Sequence, residues 1–156
     1  MAPSLPIALL CGVCGIATLA TPTAAAPVPT TFAVTDAYAL AVPLGQPNSA
    51  VFLTLTNDST QSRALVAGTS PIAEVVEIHK HIHEGGMMRM RPVSRIEVPA
   101  QSAVRLQPGG FHIMLIGLKG DLVPGDQVEL TLIFDDGTRF RVDAPVRKAG
   151  SGTSAP

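Results

Sequence analysis

From Thr31 to Val146 the apolar residues recur at every second position in short runs, and no run carries the three-to-four-residue spacing of an amphipathic helix. Phe32–Val42 alternates in part, with Phe32, Val34, Tyr38, Leu40 and Val42 at even positions. In Ala50–Asn57 the alternation is clean. Val51, Leu53 and Leu55 are expected on one face, and Phe52, Thr54 and Thr56 on the other. Further strands are predicted at 63–70, 73–79, 95–98, 103–106 and 111–118, with a hairpin pairing 127–134 to 139–146 across Asp135, Asp136 and Gly137. Punctuation by Pro, Gly, Asn and Asp separates these runs. Short strands at regular spacing with no internal repeat predict one all-β domain, a sandwich or barrel, over 31–146. The remainder, 147–156, is polar, rich in Gly and Ser, and expected to be disordered.

The segment from His79 to Met114 stands apart from this scaffold. It holds all four histidines (His79, His81, His83, His112) and every methionine but the first (Met87, Met88, Met90, Met114). Glu84, Gly85 and Gly86 are a tight-turn signal, so the flanking runs are expected to fold back as a hairpin. Strand alternation sorts the cluster. His112 and Met114 are two apart and point the same way, while Phe111, Ile113 and Leu115 point into the core. Met88 and Met90 share a face opposite Met87, Arg89 and Arg91. If the chain is extended there, His79, His81 and His83 also share one. The assembly expected is one of those imidazoles, one or two thioethers and the His112/Met114 pair at one end of the domain.

Imidazole with thioether is a selective donor set. Thioethers are soft and uncharged, and favour Cu(I) over calcium or magnesium. Zinc sites use thiolates, imidazoles and carboxylates. A lone Met on a strand is ordinarily core and a lone His an ordinary surface or core residue. Their joint confinement to one segment is what points to a metal.

Charge and leader narrow the compartment and exclude other classes. Charged residues are 15% of the chain and the net charge is −1, without the clustered basic face that nucleic acid requires. Ile7–Ala20 is apolar and small, too short for an ordinary spanning helix. With the Ala/Thr/Pro stretch after it, it reads as a secretory signal peptide over 1–26, although no Lys or Arg precedes Arg63. The rival reading is an uncleaved anchor. Cys11 and Cys14 fall in this segment and read as small apolar residues, which leaves the exported domain without thiols, as suits the periplasm. No nucleophile elbow, zinc-protease or phosphate-loop motif is present, and the chain is not expected to be an enzyme.

The spacing resembles the periplasmic copper(A) chaperones, the PCuAC family. Their motif is a His, ten residues, a Met, twenty-one residues, then His-x-Met. His79, Met90, His112 and Met114 stand at that spacing. The flanks VEIH, MRMRPV, PGGFHIMLIGLK and GDQVELTLIF match as well, and the resemblance spans about 31–146. It implies a cupredoxin-like Greek-key β-sandwich, monomeric, with His79, Met90, His112 and Met114 as Cu(I) ligands. It also implies delivery of copper to the copper-bearing subunit of cytochrome c oxidase or to another copper-delivery protein. Two positions depart from the family pattern. Tyr38 stands where Trp is common, expected as a core or packing change. His81 and His83, with Met88, form an accessory group, either exposed and idle or able to catch Cu(II) and assist handover. Ligand protonation implies that copper affinity falls below about pH 6 to 6.5. A copper-buffering protein and a metal-free β-sandwich interaction module are the alternative readings.

Overall fold

The computed structural model of the chain describes residues 32–150. The segment expected to be a signal peptide, with Cys11 and Cys14, and the last six residues of the expected disordered tail, lie outside the described residues. Among the described residues there are ten strands and no helix: β1 (Phe32–Leu40), β2 (Asn48–Asn57), β3 (Arg63–Thr69), β4 (Ala73–Glu84), β5 (Met87–Pro92), β6 (Ile96–Val98), β7 (Ser102–Leu106), β8 (Phe111–Leu118), β9 (Gln127–Phe134) and β10 (Arg139–Arg147). The hydrogen-bonded order is β5-β4-β8-β2-β1-β10-β9-β3-β6, with β7 also on β2. Two layers result. β5, β4, β8, β2 and β1 form one, and β10, β9, β3 and β6 the other. A short parallel pairing, Ala39 with Val146 and Leu40 with Arg147, joins them.

Alternation explains the core between the layers. Val51, Leu53 and Leu55 of β2, Ile113 and Leu115 of β8, and Val128, Leu130 and Leu132 of β9 are all buried in one cluster. Phe32, Phe134 and Phe140 close one side, with Phe32 and Phe134 edge to face at 4.5 Å between centroids. Each fully buried Leu or Phe contributes about 1.5–3 kcal/mol by leaving water. This face is therefore sufficient to fix which side of each strand turns inward.

The expected parity fails in β1. Phe32 is buried, but farther along the strand Ala39 is the core residue, not Tyr38 or Leu40. The pairing of β1 with β2 shifts register between Thr35 and Tyr38, and Asp36 sits at a positive φ of 54°. An extra residue in one strand of a pair makes a bulge and reverses every side chain beyond it. Asp is among the few residues that adopt this backbone conformation readily. The bulge turns Tyr38 away from the core and sets it opposite Phe52, 5.3 Å ring to ring, on the outer face of the sheet.

The β4–β5 hairpin forms as the Gly-Gly signal predicts. Gly85 and Gly86 both have positive φ, 61° and 78°, as a two-residue hairpin turn of the right hand requires. Glu84 pairs with Met87 beside it. β4 runs on to Glu84, past the His79 boundary expected from the pattern, because β5 supplies its partner. The pairing of β4 with β8 ends at Lys80 and Phe111, apart from one backbone bond from His81 N–H to the Gly110 carbonyl at 3.1 Å. The outer half of the hairpin therefore projects beyond β8.

Candidate metal centre

Cross-strand register builds the site. In an antiparallel pair, directly opposed residues present their side chains on the same face. His79 of β4 lies opposite His112 of β8, and on the other side opposite Pro92 of β5. Phe52 continues this row toward Tyr38. One row farther out, His81 pairs with Met90, and beyond that His83 pairs with Met88. One row inward, Met114 pairs with Glu77 of β4 and Ala50 of β2. All three β4 histidines, Met88, Met90, His112 and Met114 thus share the outer face of one sheet, as alternation predicts. They lie on the sheet face opposite the core, because Ile78 and Ile113 hold the inward positions beside them. Met87 is on the opposite face of the hairpin, with Lys80, Arg89 and Arg91.

His112 is the floor of the site. It is 1% exposed, although it points away from the core, because Phe52 and the rings of His79 and His81 cover it. Its ring centroid is 5.9 Å from that of His79 and 4.9 Å from that of His81. A cleft of about 500 Å³ opens over it, lined by His81, Met90, His112, Tyr38, Phe52 and the chain at Lys148–Gly150. Tyr38 is consequently a wall of this cleft and not part of the core; of the core or packing change expected for it, it is the packing one, against Phe52. The bulge that put it there left no signal in the hydrophobic pattern; Asp36 inside an alternating run was the sole hint.

Hydrogen bonds fix two tautomers. A carboxylate or a carbonyl only accepts, so the nitrogen that meets it must be the donor. His79 donates Nε2–H to Glu77 Oε2 at 2.8 Å, and His112 donates Nδ1–H to the Gly110 carbonyl at 3.2 Å. The opposite nitrogens, Nδ1 of His79 and Nε2 of His112, are buried and have no partner. Nδ1 of His81 is in the same state, and these three nitrogens are the buried side-chain N or O atoms without a hydrogen bond among the described residues. An unpaired buried polar atom costs about 1–3 kcal/mol. Here three such atoms lie on neighbouring residues of one sheet face. On His79 and His112 the fixed tautomer makes the unpartnered nitrogen a neutral lone pair, the form in which an imidazole can donate to a metal ion, and a carboxylate or carbonyl behind a metal-binding imidazole is the usual means of holding its tautomer.

Electrostatics favours the neutral ring. Burial pushes the His112 imidazole below its ordinary pKa, and the neighbouring His81 and His79 rings lower it further, against the raising effect of the Gly110 carbonyl. The thioethers contribute no charge. Met90 is 43% exposed, so one side of the site is open to solvent. No three His, Cys, Asp or Glu side chains among the described residues converge as a ready metal cage.

The fold and this face define a β-sandwich that carries paired His and Met side chains on an outer sheet surface. Its sequence matches the LpqE-like family model over residues 32–146, and the chain belongs to that family; PCuAC domains are among the solved structures it is similar to. It is 35% identical over 104 residues to "Putative lipoprotein Lxx21020" of Leifsonia xyli subsp. xyli, covering 66% of this chain and 63% of that one. It is 36% identical over 100 residues to "Uncharacterized protein RP573" of Rickettsia prowazekii, covering 64% of this chain and 55% of that one. The chain thus spans less than two thirds of the length of these curated relatives. Among solved structures, that of CuI-DR1885 from Deinococcus radiodurans is 38% identical, with a TM-score of 0.60, covering 77% of this chain and 82% of its own. The copper-bound PCuAC domain of PmoF2 has a TM-score of 0.64 at 20% identity, covering 76% of this chain and 93% of its own, and establishes the cupredoxin-like sandwich as the fold.

Proposed function

We propose that this protein is an exported Cu(I) metallochaperone that carries one ion on His79, Met90, His112 and Met114. The observation that carries the reading is the pair of buried, unpartnered lone pairs on His79 Nδ1 and His112 Nε2, held on directly opposed residues. Met114 follows His112 on the same face, and Met90 reaches the cleft from β5. Two imidazoles and two thioethers add no charge, so the complex keeps the +1 of the ion. Soft neutral donors hold Cu(I) while leaving it exchangeable. Partial exposure at Met90 suits transfer to another protein better than catalysis. A Cu(I)-bound relative at 38% identity supports the cargo, and one relative and the family itself, both named as putative lipoproteins, support export to the periplasm.

The acceptor we infer is the binuclear copper centre of cytochrome c oxidase, as the family resemblance implies. Titration of the purified protein with Cu(I) against a competing chelator should give one tight site. Absence of any tight site overturns the reading in favour of a metal-free interaction module. Deleting the gene distinguishes delivery from storage. Lost oxidase activity that added copper restores supports delivery, whereas copper sensitivity with normal oxidase supports buffering.

A further inference from the structure

The hairpin beyond the site has a feature that the four-ligand reading does not use. Its outer face carries two imidazole–thioether pairs in sequence, His83 opposite Met88 and His81 opposite Met90. Directly opposed side chains start about 4.5–5.5 Å apart at Cβ, close enough for both to hold one ion. Successive same-face positions on a strand are about 6.8 Å apart, within the combined reach of His and Met side chains. The inner pair opens onto the buried site. The His81 ring is 4.9 Å from that of His112, and His81, Met90 and His112 line one cleft. His81 Nδ1 is buried without a partner. The outer pair is at the projecting tip, where Met88 is 50% exposed. The arginines of the hairpin occupy the other face. There Glu84 binds Arg91 at 2.9 Å and lies 4.0 Å from Arg89. The hairpin's own guanidiniums therefore stand off the face that links the tip to the cleft, and the Arg147 guanidinium lies over the Tyr38 ring on the cleft wall.

We propose that this face is a two-rung transfer path for Cu(I), in which His83 and Met88 receive the ion at the tip and His81 and Met90 pass it to the buried site. This rests on the Cu(I) reading above and adds the route. Each step exchanges one neutral donor for another of the same kind, with copper remaining Cu(I), so no electron or proton acceptor is needed. Met90 belongs to both the inner rung and the final ligand set, so the ion keeps one ligand as it passes from the inner rung into the buried site. By the same path in reverse, the ion leaves toward an acceptor that meets the hairpin tip.

An on-path site speeds loading and release by the same factor and leaves the final equilibrium unchanged. His83→Ala with Met88→Ala removes the outer rung without touching the core. Transfer from the Cu(I)–bicinchoninate complex to the purified protein should slow about tenfold, and return of Cu(I) to excess bicinchoninate should slow equally. The dissociation constant should stay within about threefold of the parent, a difference of under 1 kcal/mol. Met87→Ala, at the same tip but on the opposite face, should load at the parental rate. Loading of the double variant at the parental rate with its tight site intact overturns the path alone. So does a Met87→Ala rate as slow as that of the double variant, or a double variant whose affinity falls along with its rate. A parent with no tight Cu(I) site overturns the function and the path together.

Discussion

Two side chains, Asn57 and His112, are both polar and both almost fully buried, at 0% and 1% exposure, and the protein treats them in opposite ways. Asn57 closes β2 at the far end from the site. Its Nδ2 donates to the carbonyls of Gln61, Val98 and Pro99 at 2.8, 3.0 and 3.1 Å. Its Oδ1 accepts from the backbone N–H and the hydroxyl of Ser59 at 3.1 and 2.6 Å. Nothing on Asn57 is left over. His112 satisfies one nitrogen and leaves the other buried without a partner, beside two more imidazoles in the same condition. A buried polar group that meets every demand braces the fold. One that keeps a lone pair unspent, at a cost in stability, is set up to meet something the protein does not itself contain.

The largest effect expected from this contrast is on copper. His112→Ala with Met114→Ala should weaken Cu(I) binding by at least about a thousandfold, roughly 4 kcal/mol. Asn57→Ala should leave the affinity at the parental value. Both are read by chelator competition. A tight site that survives the double substitution would rule out His112 and Met114 as ligands.

Stability should respond the other way round. Asn57→Ala removes several bonds at about 1 kcal/mol each and strands carbonyls of the loop from Ser59 and of the chain after β6, for a loss of about 2–4 kcal/mol. His112→Leu removes an unsatisfied atom and keeps the volume, so metal-free stability should change by less than about 1 kcal/mol. Denaturant unfolding of the metal-free proteins checks both. A His112→Leu protein as unstable as Asn57→Ala would mean that His112 is a structural residue like any other buried one.

A smaller effect separates the proposed ligand His79 from its support. Glu77 touches His79 and is half exposed, so it braces little of the fold. By holding Nε2–H it keeps Nδ1 available. Glu77→Ala should weaken Cu(I) binding about tenfold. Glu77→Gln retains an acceptor oxygen and should recover most of that loss. Equal losses in the two variants would assign the effect to carboxylate charge and not to the tautomer.

Much of this contrast was legible in the chain, unevenly. The face shared by His112 and Met114, the extended run of His79, His81 and His83, and the opposite direction of Met87 all follow from period-two alternation, which a buried core enforces. The Gly-Gly turn placed the hairpin because only a few residue types adopt two successive left-handed conformations. Tyr38 was misread because a single bulged residue reverses every later side chain without changing the composition. The depth of His112 was not legible either. Its cover comes from Phe52 on β2 and from the His79 and His81 rings on β4, segments distant in sequence. Nor could the pattern show Glu77 behind His79. Two residues apart on a strand means only the same face, and the hydrogen bond depends on rotamers.

The smallest effect bears on acid, where the two residues differ in kind because Asn57 cannot titrate. His112 has a lowered pKa in the folded protein, chiefly from burial, with His81 and His79 facing it from β4 and Lys148 in the same cleft. The unfolded chain therefore binds the His112 proton more readily than the folded one, between the ordinary value of 6.5 and the lowered folded value. Stability rises with pH wherever the unfolded state holds more protons. The contribution is thus favourable above 6.5, declines as pH falls through the window, and is lost below the folded pKa. Metal-free parent protein should lose unfolding free energy on acidification from pH 6.5, and His112→Leu should lose less over the same interval. Asn57→Ala should start lower and follow the slope of the parent. The differences between the curves carry the test, because His79, His81 and His83 remain in all three proteins. If the slope of His112→Leu matched that of the parent, the buried imidazole would not be the group that resists its proton.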